Sequence, residues 1–183
     1  MSQSDWMVRL RIFALASIFV LLGTAHAEAI AAQAEHKSAS MVPVADSGTT
    51  HLSTVVGGVN IAADLATRIK PASDPVRGRV TACTKSRIPC SLVDEVRIRV
   101  AQTSIFVPPS IVLRLADVDR AGLGSRSAGK FELVLECGDA SEAYTAHIVF
   151  DRNRVTQLDV YSDEAGELAE RTIYRDLSHA FDD

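Results

Sequence analysis

In two segments of the chain, 131–137 and 144–150, an apolar residue occupies every second position. A period of two is typical of strands that bury one face, so these segments predict two strands. Residues 138–141 and 151–154 have turn chemistry, and a returning strand over 155–161 follows. Short strands joined by short turns predict an antiparallel meander.

Two other segments extend this meander. Residues 92–100 carry apolar side chains on one face and Arg97 and Arg99 on the other, which predicts a strand. Residues 171–175 predict the last strand. The predicted fold class is α+β, mostly an antiparallel β meander of about five strands with one or two short helices.

The region between these strands is less regular. Residues 104–107 are predicted to be extended, and Pro108-Pro109 interrupts them. A helical turn is predicted over 110–118, although its period also fits a strand. Residues 117–129 contain glycine and many polar side chains, which predicts a loop.

The N-terminus carries the pattern of a secretory signal peptide. Arg9 and Arg11 precede the apolar run 12–22, and the small-x-small sequence Ala-His-Ala ends at Ala27. This order of charged, apolar and small segments predicts a signal peptide over the first 27 residues, with cleavage between Ala27 and Glu28.

The predicted signal peptide places the mature chain in the bacterial periplasm or outside the cell. Its apolar run is well short of the ~20 residues that span a bilayer, so no stable membrane anchor is expected after cleavage. Export also removes ATP, NAD(P)H and nucleic acid as routine ligands. No cofactor is predicted.

The composition predicts a tether before a single domain. Residues 28–75 contain few large apolar side chains and are expected to be flexible. Within them, 60–69 has apolar residues at helical spacing and predicts a short helix that Pro71 ends. The globular β-rich domain is predicted over 76–178, followed by a C-terminal tail over 179–183.

Charge argues against a nucleic-acid-binding protein. The whole chain has 19 basic and 23 acidic residues, and the mature part has 17 and 22, a net charge of −5. Nucleic-acid-binding domains are usually basic. Residues 28–129 carry 12 basic and 9 acidic groups, whereas 130–183 carry 5 and 13. This asymmetry indicates two differently charged surfaces, or an acidic region that binds a cationic partner.

The chain has three cysteines, two of which are close in sequence. Cys83 and Cys90 are expected to form a structural disulfide, because an oxidising compartment favours pairing of nearby cysteines. Closing this loop would stabilise the fold by about 2–2.5 kcal/mol. Cys137 is then expected to be buried, although pairings that involve Cys137 stay open. No complete metal-ligand set is apparent.

A phosphate-loop pattern occurs over Gly124–Lys130, but its context does not fit nucleotide binding. Phe131 stands where a magnesium-binding hydroxyl is needed, and a strand follows where a helix should begin. We therefore interpret this segment as a flexible loop.

No catalytic group is predicted from the histidines. His36 and His51 lie in the predicted tether, and His179 lies near the C-terminus. His147 lies in a strand, and the nearest turn hydroxyl, Ser141, has no nucleophile-elbow sequence around it. A satisfied or surface histidine is the simpler interpretation of His147.

Charged residues also predict solvated surfaces. Five acidic residues near the C-terminus do not match a calcium-loop spacing and are interpreted as a solvated acidic turn. They are Asp159, Asp163, Glu164, Glu167 and Glu170. Arg97 and Arg99 would form cross-strand ion pairs with Glu132 and Glu136 if their strands are neighbours.

A set of short motifs runs through the second half of the chain. They are Phe106-Val107-Pro108, Ser110, Leu115-Ala116-Asp117, Gly138–Tyr144, Val149-Phe150-Asp151, Arg154-Val155 and Glu170–Tyr174. In these motifs the chain resembles small exported proteins of Gram-negative bacteria that have no assigned activity. The resemblance covers about residues 92–176 and implies a periplasmic setting and a domain boundary, but no catalytic residues. Cys137 stands where the resemblance leads us to expect a second glycine.

These observations favour a non-enzymatic periplasmic interaction module whose partner is another exported protein. One version is an inhibitor or immunity-type protein whose acidic region covers a basic enzyme. The alternatives are a small periplasmic hydrolase that acts on envelope material, with Asp139, Ser141 and His147 in one pocket, and a structural envelope accessory protein.

Overall fold

A computed structural model of the chain describes residues 40–70, 83 and 89–176. Its described residues form ten strands, one short helix and one 3-10 turn. The helix is α1 (Pro109–Val112), and the turn spans Ala140–Glu142. The strands are β1 (Val42–Pro43), β2 (Gly48–Val56), β3 (Val59–Ile69), β4 (Ser91–Val100), β5 (Thr103–Ile105), β6 (Val118–Ser127), β7 (Lys130–Cys137), β8 (Tyr144–Phe150), β9 (Val155–Ser162) and β10 (Glu167–Ile173).

These strands form two antiparallel sheets. The larger sheet has the order β1-β6-β7-β8-β9-β10, and the smaller sheet has the order β2-β3-β4-β5. The prediction of a mostly antiparallel β fold is confirmed. Strands β6 to β10 do follow one another as a meander, but the prediction of one meander of about five strands is wrong, because a second sheet is present.

One apolar core contains side chains from both sheets. Leu65 and Val96 enter it from the smaller sheet, and Leu133, Ile148 and Leu158 enter it from the larger sheet. Inward-facing residues alternate with outward-facing ones along β3 and β4, as the pleat requires. The two outer faces therefore carry the polar and charged side chains.

Three of the ten strands, β1, β2 and β3, lie where the sequence predicts a flexible tether, and β3 occupies the predicted short helix. The helix over 60–69 is wrong, and the domain begins well before residue 76. Ile61 and Leu65 are four residues apart, a spacing that also fits one face of a strand. Small alanine side chains between them hide the alternation. Gly57 and Gly58 form the tight hairpin turn, both with positive φ.

A strand also replaces the predicted loop over 117–129. In β6, Ala121 and Leu123 are buried in the core, while Gly122 and Gly124 occupy the intervening positions. Glycine at these positions makes a strand look like a loop in sequence. The segment Gly124–Lys130 is consequently the β6–β7 hairpin, with Ser127 paired to Lys130.

The helical region is shorter than the sequence predicts. Helix α1 has four residues, 109–112, whereas the prediction extended to residue 118. After it, Ala116 forms an isolated antiparallel bridge with Leu92 at the start of β4. This bridge needs an extended backbone, which ends the helical turn.

Cys83 and Cys90 are paired as the sequence predicts, with Cα atoms 5.6 Å apart. Cys90 lies directly before β4 and packs with Leu92 and Ala116, and Cys83 packs against this small cluster. The disulfide therefore fixes the entry of the chain into β4.

We expect loss of the disulfide to destabilise the domain. The double variant Cys83→Ser/Cys90→Ser should lower the free energy of unfolding by about 2.5 kcal/mol, because the unfolded chain regains the freedom of the open loop. Urea denaturation of the variant and of the wild type with and without reductant measures the effect. Identical wild-type curves under both conditions would contradict it.

Candidate functional site

The edge of β4 is incompletely covered. Strand β5 pairs only with Ile98–Val100, and at the other end of β4 Leu92 bridges Ala116. Within the described part of the chain, residues 95–97 have no strand neighbour on the β5 side. The smaller sheet therefore has a notch in one edge.

The notch exists because β5 cannot continue. Phe106 and Val107 are followed by Pro108 and Pro109, which have no backbone N–H to donate to a neighbouring strand. The chain turns away into α1 instead. A groove of about 640 Å³ opens between β4, the end of β5 and α1. We call it the β4 groove.

Apolar side chains form much of the β4 groove. Phe106 is 74% exposed and Leu113 is 41% exposed, although both are large apolar residues. Val107, Pro109 and Val112 line the same groove. Exposed apolar side chains gathered in a concave surface are typical of a binding site.

Backbone groups also reach the β4 groove. The N–H of Ala101 donates to the carbonyl of Asn60 in β3, with an N···O distance of 2.7 Å. Since residues of an antiparallel strand alternate in the side to which their N–H and C=O point, those of Val96 are directed to the open side of β4. This main chain can bind another extended segment.

The wall of the groove formed by α1 is fixed to the larger sheet. The Tyr144 hydroxyl donates to the carbonyl of Arg114 at 3.0 Å and accepts from the N–H of Ala116 at 3.2 Å. Arg114 also pairs with Glu170 of β10. Burial raises the pKa of Tyr144, so it stays a neutral donor. These contacts make the groove a preformed surface.

Two arginines beside the groove differ in how firmly they are held. Arg97 donates two hydrogen bonds to Glu95, at 2.6 and 2.7 Å, and these raise the pKa of Arg97. Arg99 lies 3.8 Å from Asp64, whose other carboxylate oxygen is 2.8 Å from His51. An anionic ligand can therefore replace the contact of Arg99 with Asp64 more easily than the hydrogen bonds of Arg97 with Glu95.

Apart from the β4 groove, a polar cluster lies on the outer face of the larger sheet, around Asp159. The Asp159 side chain is fully buried and accepts two hydrogen bonds from Arg171 (2.7 and 3.1 Å) and one from Gln157 (2.7 Å). Arg126 lies 3.6 Å away. Burial alone would raise the pKa of Asp159, but these hydrogen bonds and the two arginine charges outweigh it and lower the pKa.

The same cluster contains His147. Its Nδ1 lies 3.0 Å from the nearly buried Glu132, which also accepts from Arg126 at 3.3 Å. The ring of His147 meets Tyr161 edge to face, with centroids 5.3 Å apart. His147 is therefore held by neighbours in the sheet, in agreement with its interpretation as a satisfied histidine.

The structure does not assemble the hydrolase site that was considered. Asp139 caps the 3-10 turn by accepting from the N–H of Ala140, and Ser141 is exposed on that turn. His147 instead pairs with Glu132 in the middle of the sheet. Neither of the two grooves found at described residues is lined by any of these three side chains.

Several other predictions about charged residues need correction. The set near the C-terminus is not simply a solvated acidic turn, because Asp159 is buried, Asp163 accepts from Thr145 and Glu170 pairs with Arg114. The ion pairs expected between the arginines of β4 and the glutamates of β7, Glu132 and Glu136, do not form, because β4 and β7 lie in different sheets.

Cys137 is free and buried, as predicted. Burial raises the pKa of its thiol, which keeps it protonated and unreactive. His51 lies in β2. The predicted cleavage site at Ala27 and Glu28, together with His36 and His179, lies outside the described residues.

The described residues contain no group of three or more His, Cys, Asp or Glu side chains that could hold a metal ion. None of their helices is both long and apolar enough to span a membrane. Comparisons of the chain with protein-family models, curated proteins and solved structures find no match. The resemblance to small exported proteins stays a prediction.

Sequence reasoning missed the β4 groove. Phe106 and Val107 before two prolines were the available signal, because apolar residues at the end of a strand that cannot continue leave an edge uncovered. Leu113 gave no such signal, since its exposure depends on how α1 packs. The sequence also did not reveal that Glu132 and Asp159 meet through Arg126.

Proposed function

We propose that this chain is an exported, non-enzymatic interaction module that binds an extended segment of a partner protein in the β4 groove. The observation that carries the proposal is the combination of an uncovered strand edge with the exposed apolar side chains of Phe106 and Leu113. We further propose that the protein works in the periplasm or outside the cell after removal of its signal peptide.

Strand addition explains both parts of the groove. An added strand would bond to the main chain at Val96, and alternate side chains of that strand would contact Phe106 and Leu113. The added strand would lie about 4.8 Å from β4, in the groove that Phe106 and Leu113 line. A small ligand would use the apolar side chains but would leave the strand edge unpaired.

The disulfide supports the proposed compartment. Disulfides persist in oxidising environments and are rare in the cytoplasm, and Cys83 and Cys90 are paired next to β4. The bond also constrains the strand whose edge would bind the partner.

The groove favours an interaction module over the other two candidates. A structural accessory protein needs no concave apolar surface. A hydrolase would need Asp139, Ser141 and His147 in one pocket, whereas neither groove found at described residues is lined by any of them. An inhibitor that uses its acidic region is also less favoured, since Glu170 and Asp163 have partners within the chain.

Selection of peptides tests the proposal. A library of random peptides displayed on phage, about ten residues each, should yield sequences that bind the immobilised, disulfide-bonded protein. The double variant Phe106→Ser/Leu113→Ser should bind the selected peptides at least about tenfold more weakly, because both apolar contacts are lost. Fluorescence anisotropy with a labelled selected peptide measures the change.

Ile69→Ser is the matched control, because Ile69 is also an exposed apolar residue of the smaller sheet but lines neither of the two grooves found at described residues. It should leave the affinity unchanged. Alternate backbone nitrogens of the peptide would face β4, and the others would face away. Methylation of the first set should abolish binding, and methylation of the second set should not. Equal binding to the Phe106/Leu113 variant, or failure to enrich any peptide, would overturn the proposal.

A further inference from the structure

A second depression lies beside the β4 groove on the smaller sheet. It is lined mainly by hydroxyl, amide and small apolar groups, and Arg99 is its one charged lining residue among those that the structure describes. Ser53, Asn60 and Gln102 supply its polar groups. We call it the polar groove. Its lining contains no carboxylate from the described residues, so its net charge is positive.

Arg99 lines both grooves. It lies opposite Ser104 of β5 on one side and Ala62 of β3 on the other. A segment that leaves the β4 groove across β5 therefore passes the Arg99 guanidinium before it reaches the polar groove.

The guanidinium of Arg99 is available at this position. Its side chain is 56% exposed, and its contact with Asp64 is 3.8 Å long, near the limit for an ion pair. Asp64 is held more closely by His51. By contrast, Arg97 is bound by both carboxylate oxygens of Glu95. A carboxylate that approaches Arg99 can thus form short hydrogen bonds that Asp64 does not.

We infer that Arg99 binds an acidic side chain of the partner, so that the recognised segment carries apolar residues for the β4 groove and an aspartate or glutamate next to them. This inference rests on the proposed function and specifies its partner. Apolar contacts and strand pairing supply affinity, and Arg99 selects among apolar segments by charge. A guanidinium suits this role because its planar fork matches a carboxylate.

A double-mutant cycle tests the pair. Peptides from the selection should be enriched in Asp or Glu at one position, and replacing that residue with Asn or Gln should weaken binding to the wild type by about three- to tenfold. Arg99→Ala should weaken binding of the acidic peptide by the same factor, and it should not weaken binding of the neutral peptide any further. Arg99→Lys should restore part of the affinity, and added salt should weaken only the charged pair.

Arg97→Ala is the matched control, since Arg97 lies on the same strand face but is held by Glu95. It should change affinity less than Arg99→Ala does. If peptides depend on Phe106 and Leu113 but show no acidic preference and no coupling to Arg99, the inference is wrong and the proposed function stands. Loss of the dependence on Phe106 and Leu113 would instead overturn the proposed function.

Discussion

Replacing Leu65 with alanine is expected to lower the free energy of unfolding by about 2–5 kcal/mol. Leu65 is fully buried in β3, pairs across the sheet with Val96 and belongs to the core shared by both sheets. Truncation removes apolar burial and leaves a cavity among neighbours that are held by two sheets. Urea denaturation followed by circular dichroism measures the loss.

The expected loss depends on β3 being part of the folded domain. Val55→Ala is the control, because Val55 lies in the neighbouring β2 but is 60% exposed. Its effect should stay within about 0.5 kcal/mol. If Leu65→Ala were as mild as Val55→Ala, the β2–β3 hairpin would not contribute to the core, and the tether expected from the sequence would be correct.

We expect a second large loss of stability when the buried carboxylate of Asp159 is removed. Asp159→Ala should lower the free energy of unfolding at neutral pH by about 3 kcal/mol, because Gln157, Arg126 and Arg171 lose the acceptor around which they are arranged. Asp159→Asn should cost less, since the amide oxygen still accepts one hydrogen bond.

The size of this effect should depend on pH. The pKa of Asp159 is lower in the folded protein than its usual value, so the ionised carboxylate adds stability that is fully present above about pH 4. That contribution is lost as the pH falls through the folded-state pKa. The stability difference between wild type and Asp159→Ala should therefore shrink in acid. Denaturation curves at several pH values measure it.

Glu95→Ala provides the comparison for this experiment. Glu95 also pairs with an arginine, Arg97, but both side chains are largely exposed. Water screens such a pair, so its loss should change stability little at any pH. A difference between Asp159→Ala and wild type that does not vary with pH would contradict the role given to the Asp159 charge.

The strands of the larger sheet were predictable where large apolar residues alternate. Segments 131–137 and 144–150 correspond closely to β7 and β8, and 155–161 corresponds to β9. Each of these strands buries one face in the core and has a turn on at least one side. Local pattern and tertiary environment agree there, so sequence reasoning succeeds.

The missed strands share a physical cause. In β3 the inward positions include Ala63 and Thr67, and in β6 glycines occupy outward positions. Small residues give little hydrophobic contrast between the two faces. Pairing with a neighbour, β4 for β3 and β7 for β6, supplies the stabilisation that the local sequence does not display.

The candidate sites were beyond local reasoning for a different cause. Glu132 and Asp159 are far apart in sequence, and the registers of β7, β8 and β9 bring both near His147. The β4 groove likewise depends on where β5 ends relative to β4. Local patterns contain no information about such registers, whereas the disulfide could be predicted because its cysteines are close in sequence.

The outer edge of the larger sheet bears on how this protein behaves at high concentration. Strand β10 has no neighbour on its far side among the described residues, yet a bulge between Leu168 and Glu170 interrupts its register. The charged side chains of Glu167 and Arg171 on this strand also disfavour pairing with another strand. An edge that is both irregular and charged resists the stacking of copies into fibrils. Among the described residues, the β10 edge therefore does not offer a regular strand for pairing with a second copy of the chain.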